Sequence, residues 1–155
     1  MSQRKLEKIY NSLLERAKFH DDEDLNILVD ELRKLIEEEE AKKVVKGWEA
    51  GTGGIKFPND TVMEIQVHRN KNHPGIMIHR NYKNKILSPG WQISLEAGLR
   101  IVNVNYKTKT QAIKTFSECA GNIDWNRPLE VLSGDREIME AIVLIRGKGK
   151  VGNNG

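Results

Sequence analysis

The apolar positions change period partway along the chain. In residues 2–19, Leu6, Ile9, Tyr10, Leu13, Leu14 and Ala17 recur every three or four positions, which lines one face of a helix. His20, Asp21 and Asp22 interrupt the pattern. Asp21 or Asp22 suits an N-cap, and Glu23 and Asp24 complement the positive end of the next helix dipole. The second helix carries Leu25, Leu28, Val29, Leu32, Leu35 and Ile36 and continues to Lys42, Lys43 and Lys46, with Gly47 as its stop. A connection this short makes the helices antiparallel neighbours, so residues 1–46 read as a helical hairpin for interaction or oligomerisation. Its leucine stripe keeps coiled-coil spacing only from Leu25 to Leu35, which leaves a homodimer through this hairpin open.

Residues 47–61 hold four glycines and a proline and read as a linker. Their GTGG lacks the Gly-Lys-Ser/Thr of a phosphate-binding loop. From Thr61 the period becomes two. Met63, Ile65 and Val67 alternate with Gln66 and His68, and Ile76 and Ile78 alternate with Met77 and His79, which predicts two half-buried strands with the second set of each facing out. Lys83 to Gly90 read as a basic loop, Trp91 to Leu95 as a third strand, and Leu99 to Tyr106 as a fourth after a turn at Gly98. Thr108 followed by Gln111 is a capping box, opening a helix that ends at Gly121 with Ala112, Ile113, Phe116 and Ala120 inward. Asp135 caps a last helix to residue 146, and residues 147–155 read as a flexible basic tail. The expected fold is α+β: an N-terminal antiparallel helical hairpin, then a four-stranded antiparallel sheet covered by two C-terminal helices over residues 62–146.

Charge changes the picture more than composition does. Of 155 residues, 38% are hydrophobic and 30% charged, enough for one modest core, and no run is long and apolar enough to span a membrane. No apolar segment follows the basic start, so no secretory signal is expected. The single cysteine, Cys119, excludes an internal disulfide and suits a reducing cytoplasm. Residues 1–60 hold 11 Lys/Arg against 14 Asp/Glu, while residues 61–155 hold 14 against 8. Between residues 65 and 117 there are nine basic side chains and one acid, Glu96. A positive face attracts phosphates and gains from counterion release.

Catalytic material is thin. Cys119 lies on the inner half of a helix and reads as a small buried hydrophobe. His68, His73 and His79 lie near one hairpin without a coordinating carboxylate or thiolate, so neither metal nor cofactor is expected. H-E-x-x-H and G-x-S-x-G are absent. Trp91 leads an apolar alternation and reads as core.

Strands running into a helix led by Lys107, Thr108, Lys109 and Thr110 resemble, in outline, the arm-binding domains of some tyrosine recombinases and the double-stranded-RNA-binding domain. The resemblance spans about residues 62–121 and is topological. His73-Pro74-Gly75 is not the RNA-binding domain's G-P-x-H loop, and Gln111 and Thr115 stand where that domain has further lysines.

The expectation is therefore a small non-enzymatic nucleic-acid-binding protein, contacting DNA or RNA phosphates through Arg69, Lys71, Arg80, Lys83, Lys85, Lys107 and Lys109 on one basic sheet edge and helix start. The alternative is a protein-interaction module, such as an accessory or inhibitor protein of a phage or mobile element, acting through the helical hairpin.

Overall fold

The computed structural model covers the whole chain; residues 2–19, 22–96, 98–101 and 104–154 are described here, with side chains to residue 147. His20 and Asp21, and Val102 and Asn103 of the expected fourth strand, lie outside the described residues. The chain divides into two compact units, Met1–Val44 and Val45–Gly155.

The first unit is a helical hairpin of α1 (Gln3–Phe19) and α2 (Glu23–Ala41). Asp22 caps α2, its Oδ1 accepting from the amides of Asp24 at 3.0 Å and Leu25 at 3.3 Å. The ends are tied where Gln3 donates to Glu40 at 2.8 Å and Lys43 donates to Gln3 at 2.6 Å. Leu6, Tyr10 and Ile36 are buried. The buried line of α2 is Arg33, Ile36, Glu37 and Glu40, with Arg33 bonded to Glu37 at 2.8 Å. Leu28 and Leu35, on the apolar stripe of the helix, are exposed together with Ile27. The helix is rotated so that an ion-paired stripe at the same three- and four-residue spacing takes the inner position.

The second unit is α+β. Four antiparallel strands, β1 (Glu49–Lys56), β2 (Val62–Arg69), β3 (Ile76–Lys83) and β4 (Ile86–Leu95), pair in chain order. The sheet has four members, but not the expected four. The segment read as a linker contains β1, which pairs with β2 from Glu49↔Arg69 to Lys56↔Val62. Its glycines serve packing: a Cβ on Gly53 would stand 2.7 Å from Met77 Sδ and 3.0 Å from the Val67 methyls. The expected fourth strand, Leu99–Tyr106, does return beside β4, but as isolated bridges at Ser94↔Arg100 and Trp91↔Tyr106. The expected basic loop, Lys83 to Gly90, is instead a two-residue hairpin turn at Asn84 and Lys85, after which β4 begins.

The sheet curls. The Lys56 amide at the end of β1 donates to Gly98 O, beyond β4, at 3.1 Å. Both faces of β3 are consequently buried, and Met77, His68 and His79 are inside rather than facing out. On one face, Ile76, Ile78, Trp91, Ile93 and Leu95 form a core with α3 (Lys109–Ala120) and α5 (Arg136–Asn154), through Ala112, Ile113, Phe116, Ile138, Ala141 and Ile145. On the other, Ile65, Val67, Met77 and Ser94 are buried.

Thr108 caps α3 as its sequence signals, accepting from the Gln111 amide at 3.1 Å, while Gln111 Oε1 accepts from the Lys107 amide. A five-residue α4 (Leu129–Ser133) precedes α5, which Asp135 caps through the Ile138 amide at 3.2 Å. The expected tail is helical instead: α5 continues through Asn154. Each glycine within it costs about 1 kcal/mol relative to alanine, which weakens a helix without ending it.

Candidate nucleic-acid interface

The seven basic residues do not share one surface. Arg69 ends β2 and is held by Glu96, its Nη2 donating to Oε2 at 3.0 Å. That hydrogen bond raises the Arg69 pKa. The one acid of the basic stretch thus neutralises one of its cations. Lys71 is exposed in the β2–β3 turn. The eight residues of β3 separate that turn from the β3–β4 tip, a distance of about 25 Å at the usual strand rise.

Arg80 and Lys109 are inside. They are 7% and 8% exposed, and each cation stands 5.9 Å from the centroid of the Trp91 ring. Arg80 Nη2 also donates to Ser88 O at 3.1 Å. Trp91 itself is core, as its alternation implies. Lys83, Lys85 and Lys107 are exposed. No ion pair among the described residues engages Lys83 or Lys85, which flank Asn84 at the hairpin tip.

The tip is conformationally unusual. Asn84 has φ +49° and Lys85 φ +68°, the left-handed pair of a two-residue hairpin turn. Glycine normally fills the second position; a lysine there costs roughly 1 kcal/mol. Arg80 and Asn81 sit at a register shift, opposite Trp91 and Ser88, where Pro89 and Gly90 bulge from β4.

The histidines are dispersed. His68 and His79 lie on opposite faces of the sheet, and His73 stacks on Trp48 with ring centroids 5.9 Å apart. Among the described residues no three His, Cys, Asp or Glu side chains are placed to hold a metal ion. Cys119 is half-buried beside the core.

Sequence reading missed two arrangements. The first is His79 with Ser94, Nε2 to Oγ at 2.7 Å, while Nδ1 meets Arg80 O at 2.6 Å. The carbonyl can only accept, so Nδ1 carries the proton and Nε2 accepts from the serine. This resembles a nucleophile with its base, but Ser94 is 0% exposed. Burial, with Arg100 adding to it, lowers the His79 pKa to about 4. Only the β3–β4 register, which sequence does not print, brings the two together.

The second surrounds Trp91. His68 is 3% exposed, with its ring 5.6 Å from the indole. Burial, then Lys109 and His79, lower its pKa to about 4. Its Nε2 and the Oε1 of Gln66, two residues earlier on the same face of β2, are buried without a hydrogen-bond partner. The alternation that marked these positions as polar and outward was the only signal available.

Compared with known proteins, the chain matches no family model, no curated protein and no solved structure.

Proposed function

We propose that this chain is a non-enzymatic nucleic-acid-binding protein that grips backbone phosphates with the tip of the β3–β4 hairpin, assisted by Lys107 at the start of α3. The observation that carries this reading is the lysine at φ +68°, flanked by a second exposed lysine, with no carboxylate paired to either among the described residues. Strained backbone kept at an exposed, charged apex supports a role for the side chain beyond folding. DNA and RNA are equally served by phosphate contact. A cytoplasmic setting goes with this reading, as does the presence of a single cysteine.

The test is a salt series with generic DNA and RNA, comparing the parent with the double variant Lys83→Glu, Lys85→Glu. Arg80 is left in place because it is buried. The parent should bind at low salt and weaken as salt rises. The variant should bind more weakly, with a log–log salt slope smaller by about 0.7–0.9 for each phosphate that the lysines no longer neutralise. A parent that does not bind at low salt, or a variant with unchanged slope, removes the proposal.

The second reading, a protein-interaction module or homodimer acting through the helical hairpin, is favoured by the exposed Ile27, Leu28 and Leu35 of α2. Molecular mass in solution separates the two. A shift on adding nucleic acid favours the first, and a stable dimer unchanged by nucleic acid favours the second. No helix among the described residues is long and apolar enough to cross a membrane.

A further inference from the structure

We propose that the buried basic cluster around Trp91, at the N-terminus of α3, is an oxyanion site that takes a single phosphate group. The proposal rests on the phosphate-binding reading for the origin of its ligand, and on its own geometry for the site.

Three elements supply it. His68 comes from β2, Arg80 from β3 and Lys109 from the first turn of α3, and all three converge on one indole, at 5.6 Å ring to ring for the histidine and 5.9 Å for each cation. The strand pairing explains the convergence. His68 faces Ile78, and Arg80, two residues further along β3, faces Trp91 directly. Alternation then places Gln66, His68, Arg80 and Trp91 on one face of the sheet. Lys109 meets them from above, where the positive end of the α3 dipole adds to the field.

The independent observation is the histidine. A buried polar atom without a partner carries its full desolvation cost, and native proteins rarely leave one without a reason. His68 Nε2 and Gln66 Oε1 are two such atoms, on the same face of β2. A phosphate oxygen would accept from Nε2 once that nitrogen is protonated, and a protonated phosphate oxygen could donate to the amide oxygen. Burial, then Lys109 and His79, now disfavour the imidazolium, and an anion beside His68 would reverse that preference. Gln66 is half-buried, and Lys107 and Thr108, just before Lys109 in the chain, are exposed, so a phosphate would enter from that side.

The experiment is NMR of the histidine and tryptophan side chains of the full chain, titrated with inorganic phosphate against sodium chloride at matched ionic strength. Phosphate should produce a saturable shift of the His68 ring nitrogens and the Trp91 indole N–H, leave the Trp125 indole N–H in place, and raise the His68 pKa by roughly 1–2 units. His68→Phe keeps a ring against Trp91 and should weaken the phosphate response at Trp91 at least tenfold. Should that variant not fold, Gln66→Leu replaces it with the same expectation. Equal responses to phosphate and chloride, or an unmoved His68, overturn the proposal.

Oligonucleotides with and without a terminal phosphate, and a nucleoside monophosphate, locate the source. His68 responding to internal strand phosphates, only to terminal ones, or only to the mononucleotide each supports the site and names its ligand. If oligonucleotides bind while neither they nor free phosphate move His68, this inference fails and the hairpin-tip reading stands. If phosphate titrates His68 but no oligonucleotide binds, the site stands and that reading fails.

Discussion

At the scale of single residues, burial decides more than residue type. His68 and His79 both have pKa values lowered from 6.5 to about 4, so both are neutral in the folded chain near pH 7. Between the unfolded value and the folded one, the unfolded chain binds protons that the folded chain refuses, so their contribution is complete above pH 6.5 and is lost as pH falls toward 4. Each histidine then removes up to about 1.4 kcal/mol per pH unit. Thermal unfolding should show Tm dropping from pH 7 to pH 5. His79→Gln, which can keep one hydrogen bond to Ser94 and carries no titrating ring, should flatten the drop; an unchanged pH profile in that variant would show that His79 does not titrate as described. The sequence marked both histidines as polar positions of strands. It could not show that the sheet curls over one of them and that α3 closes over the other.

Elements carry the contrast between what patterns reveal and what they hide. The caps at Asp22, Thr108 and Asp135 were readable because a capping side chain acts on amides two or three residues away. β1 was not readable. Its Gly51, Gly53 and Gly54 leave no alternation of side chains, and glycine ordinarily argues against a strand. What selects it is distant: Met77 and Val67 occupy the space a side chain at residue 53 would need. Gly53→Val should therefore lower stability by about 1–3 kcal/mol through overpacking, measured by denaturant unfolding. A neutral substitution would mean that β1 does not lie over Met77. At the β3–β4 turn the prediction runs the other way. Lys85→Gly relieves the left-handed lysine and should raise stability by up to about 1 kcal/mol while weakening nucleic-acid binding. A variant that is more stable and binds equally well would leave the strained lysine without a role.

For the molecule as a whole, charge and core are divided along the same boundary. Residues 1–44 carry 9 Lys/Arg against 12 Asp/Glu, and residues 45–155 carry 16 against 10. The large apolar core, from Trp48 to Ile145, is drawn from the second unit alone. That much was legible as a change of period and of charge sign near the glycine-rich stretch, although the stretch itself is a strand. A core contained in one unit implies that residues 45–155 fold without the helical hairpin, which two-state thermal unfolding of the fragment would test. Removing residues 1–44 also takes the formal charge from +3 to +6. Phosphate binding gains from counterion release where lysines meet the backbone and from the long-range field of the whole chain, and only the second term changes on truncation. The fragment should therefore bind generic nucleic acid at least as tightly as the full chain at low salt, with the advantage fading as the Debye length shrinks toward about 8 Å at physiological ionic strength. Binding that disappears with the hairpin, from a fragment that still unfolds cooperatively, would place the contact on α1 and α2 and transfer the function to the acidic unit.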